Sequence, residues 1–80
     1  MPTMGSPAKT LDVKGLVCPV PVLKTKKAIL EVNLGEVLEV VSTDPASESD
    51  IPSWANRAGH RVIGTRREGN LFFFYVERGR

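Results

Sequence analysis

This sequence has little of the residues on which metal and thiol chemistry depend: one cysteine and one histidine among 80 residues. A single cysteine excludes an internal disulfide, a CxxC dithiol site and a cysteine-rich metal site. One cysteine and one histidine also fall short of the usual zinc ligand set, so we expect no metal and no cofactor. In a reducing compartment the cysteine stays a thiol, which is either a small buried hydrophobe or a reactive group.

Long apolar runs and a strong excess of one charge are also missing. No apolar run approaches the ~18 residues of a membrane span, and Met1–Pro7 lacks the basic start and apolar core of a signal peptide. We therefore expect a cytoplasmic protein with no membrane association. The formal net charge of +2 is far below the basic density typical of nucleic-acid binders, so we expect no stable nucleic-acid binding.

The hydrophobic pattern predicts six elements in the order β-α-β-α-β-β. The predicted strands cover residues 10–14, 36–43, 60–67 and 71–77, and the predicted helices cover residues 19–33 and 45–58. Pro52 interrupts the second helical pattern, so we expect one turn over 45–49 and a fresh start near Asp50. This order favours an α+β two-layer sandwich, in which both helices cover one face of a four-stranded mixed sheet.

One domain accounts for nearly the whole chain, because 80 residues lie near the lower end of what can bury its own core. We expect this domain at residues 10–78, between a flexible N-terminal tail at 1–9 and a charged C-terminal tail at 79–80. The face of the sheet that the helices leave open would carry Tyr75 and one set of phenylalanines. That face is a candidate contact surface.

The first predicted helix is amphipathic. Its apolar arc consists of Val22, Thr25, Ala28, Ile29 and Val32. Leu23 and Leu30 widen this arc on one side. The basic residues of the helix are candidates for docking an acidic partner surface. They are Lys24, Lys26 and Lys27.

Cys18 stands before Pro19 and Pro21, where the first predicted strand gives way to the first helix. A helix start has unpaired N–H groups and a partial positive charge, which would stabilise a thiolate and lower the pKa of the Cys18 thiol. With Cys18 as the N-cap, Pro19 and Pro21 are the first and third helical residues, and Val20 supplies the nearest free N–H. Alternatively, Val20 is extended and the helix begins at Pro21. Either way, Cys18 is predicted to be exposed and reactive rather than inert.

Asp44 and His60 are the other candidate site residues. Asp44 is expected at the carboxyl end of the second strand, at the same edge as Cys18. There it can cap the second helix, with Pro45 as the first helical residue, and it is also a candidate for partner contact. His60 begins the third strand, so we expect it at the opposite end from Cys18. That placement argues against a cysteine–histidine catalytic dyad.

The segment Leu11–Pro21, followed by Leu23–Ala28, resembles the signature of the TusA/SirA-like sulfur-carrier family. Later parts of the chain are also similar to that family: Asp44–Ser47, Asp50–Pro52, Trp54 and Gly59–His60. The resemblance covers residues 10–78, and its Cys-Pro-x-Pro element is specific. It implies a β-α-β-α-β-β two-layer sandwich.

The resemblance also implies a function. The family's cysteine, matched here by Cys18, accepts sulfane sulfur as a persulfide and passes it to another protein, more as a carrier than as a stand-alone enzyme. The implied donors are cysteine desulfurases and rhodanese-like proteins. The implied acceptors are DsrE/TusD-like relay proteins for tRNA 2-thiolation, or heterodisulfide-reductase-like systems of dissimilatory sulfur oxidation. We expect a monomer, the simplest design for a cysteine that several partners must reach.

Two other functions stay open on the residues alone. A non-catalytic regulatory module would bind RNA or protein through the open sheet face and basic residues, although the modest net charge speaks against it. A thiol enzyme acting on a small molecule would need a general base near Cys18, and the sequence offers no evident one.

Overall fold

The computed structural model describes residues 7–80 and contains the predicted elements in the predicted order. The strands are β1 (Lys9–Val13), β2 (Val37–Ser42), β3 (Arg61–Glu68) and β4 (Leu71–Glu77), and the helices are α1 (Val20–Ala28) and α2 (Ser47–Ala58), with a 3₁₀ turn at Ile29–Glu31. Residues 1–6 of the predicted N-terminal tail lie outside the described residues. Lys9, predicted to belong to that tail, begins β1.

The four strands form one mixed sheet in the order β1-β2-β4-β3. β1 pairs with β2 in parallel, and β4 runs antiparallel to both of its neighbours. β1, β2 and β3 therefore point the same way, and their carboxyl ends lie at one edge of the sheet. The two helices pack against each other and against one side of the sheet, around a single core. This confirms the predicted two-layer α+β sandwich.

Side-chain alternation along β4 decides which face of the sheet becomes the core. Phe72, Phe74 and Val76 are buried, whereas Phe73 and Tyr75 are half-buried on the other face. The helices complete the same core with residues of both α1 and α2. They include Ala28, Ile29, Ile51, Trp54 and Ala55.

Polar side chains on the other face of the sheet form hydrogen bonds with one another. Tyr75 Oη donates to Glu39 Oε2 at 2.8 Å, and Thr10 Oγ1 donates to Glu39 Oε1 at 3.0 Å. The Arg66 guanidinium lies 3.9 Å from the centroid of the Phe73 ring, a distance typical of a cation–π contact. The aromatic surface on this face is therefore partly covered by the chain's own side chains.

α2 is continuous through Pro52, so the predicted restart near Asp50 is wrong. Pro52 lies early in the helix, where its missing N–H leaves only the carbonyl of Glu48 without its usual donor. The buried face of α2 spans both sides of the proline and holds the two halves on the sheet. The helix ends at Ala58, as the predicted range does, and Gly59 follows it with a left-handed φ of 86°. Neither helix within residues 7–80 has the length and apolar character needed to span a membrane.

A buried pair of hydroxyl groups joins the end of β2 to the start of α2. Ser42 Oγ and Ser47 Oγ lie 2.8 Å apart, and Ser42 Oγ also accepts the Asp44 N–H at 3.1 Å. We expect Ser42→Ala and Ser47→Ala each to lower the free energy of unfolding by about 1–2 kcal/mol, because a buried polar group loses its partner. In the double variant, the loss should be smaller than the sum, since both changes remove the same bond. Additive losses in urea titrations would contradict this.

Candidate functional site

Two loops meet at the edge of the sheet where β1 and β2 end. The Gly15 N–H donates to Thr43 Oγ1 at 2.9 Å, and the Cys18 N–H donates to Asp44 Oδ2 at 2.8 Å. Parallel neighbouring strands bring the loops that follow them to one edge. Cys18 and Asp44 therefore share this edge, as the sequence predicts, and a direct hydrogen bond joins them.

Asp44 connects these loops instead of capping α2. Its Oδ1 accepts the Ala46 N–H at 3.2 Å, and its carbonyl accepts the Ser47 N–H at 3.0 Å. Ser47 is the first residue of α2 and Ala46 occupies the cap position. The prediction that Pro45 begins the helix is therefore wrong by two residues, because 45–46 form a turn that precedes it. The carboxylate of Asp44 is left to hold the backbone of the cysteine loop.

α1 begins at Val20, between the two predicted starts, and Pro19 occupies the cap position. Cys18 therefore stands one residue before the N-cap, and its peptide bond to Pro19 is cis. The Val20 N–H donates to the Val17 carbonyl at 3.0 Å, so it is not the free donor predicted beside the sulfur. Cys18 itself is an exposed free thiol.

The apolar residues around Cys18 divide into a buried and an exposed group. Pro21, the second residue of α1, is fully buried, and its carbonyl accepts the buried Thr25 hydroxyl at 2.7 Å. Val17 and Leu23 are 68% and 55% exposed. Leu30, which like Leu23 widens the apolar arc on a helical wheel, is also exposed. The packed face of α1 is thus narrower than the pattern predicts, and apolar residues that precede and follow the cysteine along the chain stay exposed.

A cleft of about 310 Å³ opens beside Cys18. Its walls come from the start of α1 and from α2, and they consist of Cys18, Pro19, Val22, Asp50, Ser53 and Arg57. Asp50, Ser53 and Arg57 stand at i, i+3 and i+7, so they share one face of a continuous helix. None of the three is among the predicted site residues, because the prediction from sequence considered only the apolar face of this helix. Their spacing was the signal that would have found them.

Carboxyl groups near Cys18 raise the pKa of its thiol. The Asp50 carboxylate is the largest cause, because it favours a thiol that still carries its hydrogen; desolvation acts in the same direction, and the negative charges of Asp50 and Asp44 add to it. All of these effects favour the neutral thiol over the thiolate. The direction is opposite to the lowered pKa predicted from the helix start.

Two of the three candidate docking lysines lie together, away from that cleft. Lys24 and Lys27 line a second cleft of about 240 Å³, which shares no residue with the one beside Cys18. The other residues of this second cleft are Lys9, Leu11, Ala28 and Glu31. Lys26 is exposed and lines neither cleft. Within residues 7–80, no three histidine, cysteine, aspartate or glutamate side chains converge into a group that could hold a metal ion.

His60 lies at the opposite edge of the sheet from Cys18. It precedes β3, whereas Cys18 follows β1, and the two strands point the same way. His60 Nδ1 accepts the N–H of Gly79 at 3.0 Å, and the ring packs against Trp54 with 5.3 Å between centroids. The contacts of His60 are thus structural. One of them holds the backbone of Gly79, a residue predicted to belong to the C-terminal tail.

A family of known proteins matches nearly the whole chain. The model of the family described as sulfurtransferase TusA matches residues 9–78. The chain belongs to the TusA family. Among relatives, YrkF of Bacillus subtilis is 44% identical over 69 residues, which are 86% of this chain and 37% of that protein. This chain thus spans little more than a third of YrkF.

A relative of similar length agrees with this membership, and a solved structure agrees with the fold. The sulfur carrier protein TusA of Allochromatium vinosum is 37% identical over 68 residues, covering 85% of this chain and 90% of the relative. The crystal structure of a SirA-like protein from Desulfitobacterium hafniense matches with a TM-score of 0.77 and 24% identity, covering 90% of this chain and 99% of the other. The family and the fold that the sequence resemblance implies are both confirmed.

Proposed function

We propose that this TusA-family chain carries sulfane sulfur as a persulfide on Cys18 and passes it to an acceptor protein. The observation that carries the proposal is an exposed cysteine, held through its backbone N–H by Asp44 at the edge of the sheet. A sulfur carrier needs a sulfur atom that partner active sites can reach, and this position provides one. The name of the Allochromatium vinosum relative, sulfur carrier protein TusA, supports the same role.

Loading is a displacement at the outer sulfur of a donor persulfide. The Cys18 thiolate attacks that sulfur and a new S–S bond forms, while the donor's S–S bond breaks and its electron pair leaves on the donor thiolate. The outer sulfur arrives with its hydrogen, so the product is Cys18–S–SH. The transferred sulfur keeps its oxidation state, and the step needs no oxidant or reductant.

Unloading repeats the displacement with the roles reversed. An acceptor thiolate attacks the outer sulfur of Cys18–S–SH, and Cys18 leaves as the thiolate. Because Cys18 is the only cysteine of this chain, no second thiol within it can make this attack. Discharge therefore requires another molecule, which favours carriage between proteins.

Partner docking would use the surface around the cysteine. Val17 and Leu23, which precede and follow it along the chain, are exposed apolar residues. An acidic partner surface would meet the exposed basic residues of α1, which are Lys24, Lys26 and Lys27. The Asp44 carboxylate accepts hydrogen bonds from two backbone N–H groups, and its remaining lone pairs are available to a donor of the partner.

The partners we propose are those that the family resemblance implies. A cysteine desulfurase or a rhodanese-like protein would donate the sulfur. A DsrE/TusD-like relay protein of tRNA thiolation, or a heterodisulfide-reductase-like system, would accept it. All of them handle sulfur on cysteine thiols, the chemistry that the two displacements require.

Sulfur loading is the direct test. After incubation with a cysteine desulfurase and cysteine, or with a rhodanese and thiosulfate, we expect the intact mass of the chain to rise by one sulfur atom. A thiol reductant should remove that sulfur, because a persulfide is reducible. Comparing the two arms identifies the class of donor.

The matched controls are Cys18→Ala and Cys18→Ser, which should gain no sulfur in either arm. The carrier function would be wrong if the unsubstituted chain gained no sulfur from either donor. It would also be wrong if Cys18→Ala gained as much sulfur as the unsubstituted chain, since the sulfur would then reside elsewhere.

A further inference from the structure

Two carboxylates lie beside Cys18 without a cation to balance them. Asp44 Oδ2 accepts the Cys18 N–H at 2.8 Å, and Asp50 lines the cleft with the cysteine. Neither carboxylate takes part in an ion pair within the described part of the chain. Arg57, the cation that lines this cleft, stands seven residues after Asp50, about 10 Å further along the helix axis.

The cleft therefore has a negatively charged residue, Asp50, near the reacting sulfur. It has a positively charged residue, Arg57, two helical turns further along α2. Uncompensated carboxylates attract a cationic group and repel an anionic one. The group that suits the end at Cys18 is therefore basic, and the group that suits the end at Arg57 is acidic. An extended peptide covers a distance of about 10 Å in three residues.

We propose that this cleft binds an extended segment of a partner protein that carries a lysine or arginine beside its reactive cysteine, and that Asp50 receives the basic side chain while Asp44 adds negative charge beside Cys18. The proposal rests on the sulfur-carrier function proposed above. An acidic residue three positions from the basic one would reach Arg57, and Pro19 and Val22 would contact the apolar atoms between them.

Docking of such a segment changes the chemical state of Cys18. In the free chain, the carboxylates of Asp50 and Asp44 both disfavour the thiolate. A partner cation beside these carboxylates offsets their charge, so the pKa of the Cys18 thiol falls and its proton leaves to solvent. The nucleophile then forms mainly in the docked complex, and the free carrier is less open to stray alkylation and oxidation.

Charged thiol reagents measure this field without any sulfur donor. The probes are two methanethiosulfonates, one with a trimethylammonium-ethyl group and one with a sulfonate-ethyl group. With each, the Cys18 thiolate forms a disulfide to the reagent's thioalkyl sulfur, and methanesulfinate leaves. Each rate is expressed relative to the rate of the same probe with β-mercaptoethanol, because any thiolate attracts a cation. We expect the relative rate of the cationic probe to be about three- to tenfold higher than that of the anionic probe, the Coulomb effect of a unit charge a few ångströms away near a protein surface. Added salt should narrow the ratio.

The Asp50→Asn variant tests whether the field comes from this residue. The rate ratio should fall by about three- to tenfold. The pH profile of alkylation by neutral iodoacetamide should move to lower pH, because a carboxylate that raises the pKa of the thiol is gone. Glu48→Gln removes the same charge from an exposed position of α2 outside the cleft, and it should change neither readout. Arg57→Gln should increase the ratio.

Equal relative rates for the two probes, or a higher relative rate for the anionic probe, would overturn the proposal. An unchanged pH profile in folded Asp50→Asn would overturn it as well. If Asp50→Asn does not fold, the test is the rate ratio of the unsubstituted chain together with the salt dependence of that ratio. Absent sulfur loading with a normal ratio counts against the carrier function, whereas equal relative rates with normal loading count against this cleft.

Discussion

Replacing Phe74 with alanine is expected to lower the free energy of unfolding by about 3–5 kcal/mol. Phe74 is 2% exposed and sits in the middle of β4, where it contributes to the single core between the sheet and both helices. Removing the ring costs its burial and leaves a cavity that the surrounding side chains fill only in part. Chemical denaturation followed by circular dichroism measures the change.

Phe73→Ala is the matched control, because it removes the same ring from the next residue of the same strand. Phe73 is half-buried on the other face, under the guanidinium of Arg66. Its loss should cost about 1–2 kcal/mol, from partial burial and a cation–π contact. The loss of stability in Phe74→Leu should be smaller than in Phe74→Ala and larger than in Phe73→Ala. This variant provides the test if Phe74→Ala does not fold. Equal losses at the two phenylalanines would contradict the one-sided core.

Replacing Asp44 with alanine is expected to lower the free energy of unfolding by about 1–2 kcal/mol and to slow sulfur loading roughly ten- to a hundredfold. The carboxylate accepts the N–H groups of Cys18 and Ala46, so its loss frees both loops at the site. A reacting sulfur that is no longer held in one place is attacked less often in the right geometry. Denaturation and the time course of loading by intact mass measure the two effects.

Glu36→Ala is the control for a purely structural loss. Glu36 Oε1 accepts the Asn33 N–H at 2.8 Å, a bond of the same kind in the loop before β2, at the other edge of the sheet. Its removal should lower stability somewhat and leave the loading rate unchanged. Asp44→Asn keeps one accepting oxygen and should lie between the unsubstituted chain and Asp44→Ala. Loading at an unchanged rate in Asp44→Ala would show that this carboxylate does not position Cys18.

The electrostatics of the site set it apart from a cysteine activated by a helix start alone. The start of α1 has a positive character, but the carboxylates of Asp50 and Asp44 raise the pKa of the thiol. A cysteine in this setting is exposed and yet mostly protonated. Reactivity that appears on docking suits a carrier that meets several proteins and must transfer its sulfur in the correct complex.

Much of this protein could be predicted from local sequence patterns. Alternation along Leu71–Glu77 predicts the strand and its buried face, and the Asp44 and Gly59 signals mark where the second helix lies to within a few residues. Cys18 could be predicted at the surface because two prolines place it at a strand-to-helix junction. These features depend on residues close together in the chain, where periodicity and backbone preference decide the outcome.

The groups that α2 contributes beside the sulfur depend on tertiary packing. The sheet order inserts β4 beside β2, and the packing of α2 across Pro52 turns Asp50 and Arg57 toward the same cleft as Cys18. The sign of the pKa shift at Cys18 follows from that packing, because Coulomb effects depend on distance through space and not on separation along the chain. Local sequence is enough to place one cysteine at a helix start with Asp44 at the same edge, whereas the Asp50 carboxylate reaches the cysteine only through the packing of α2.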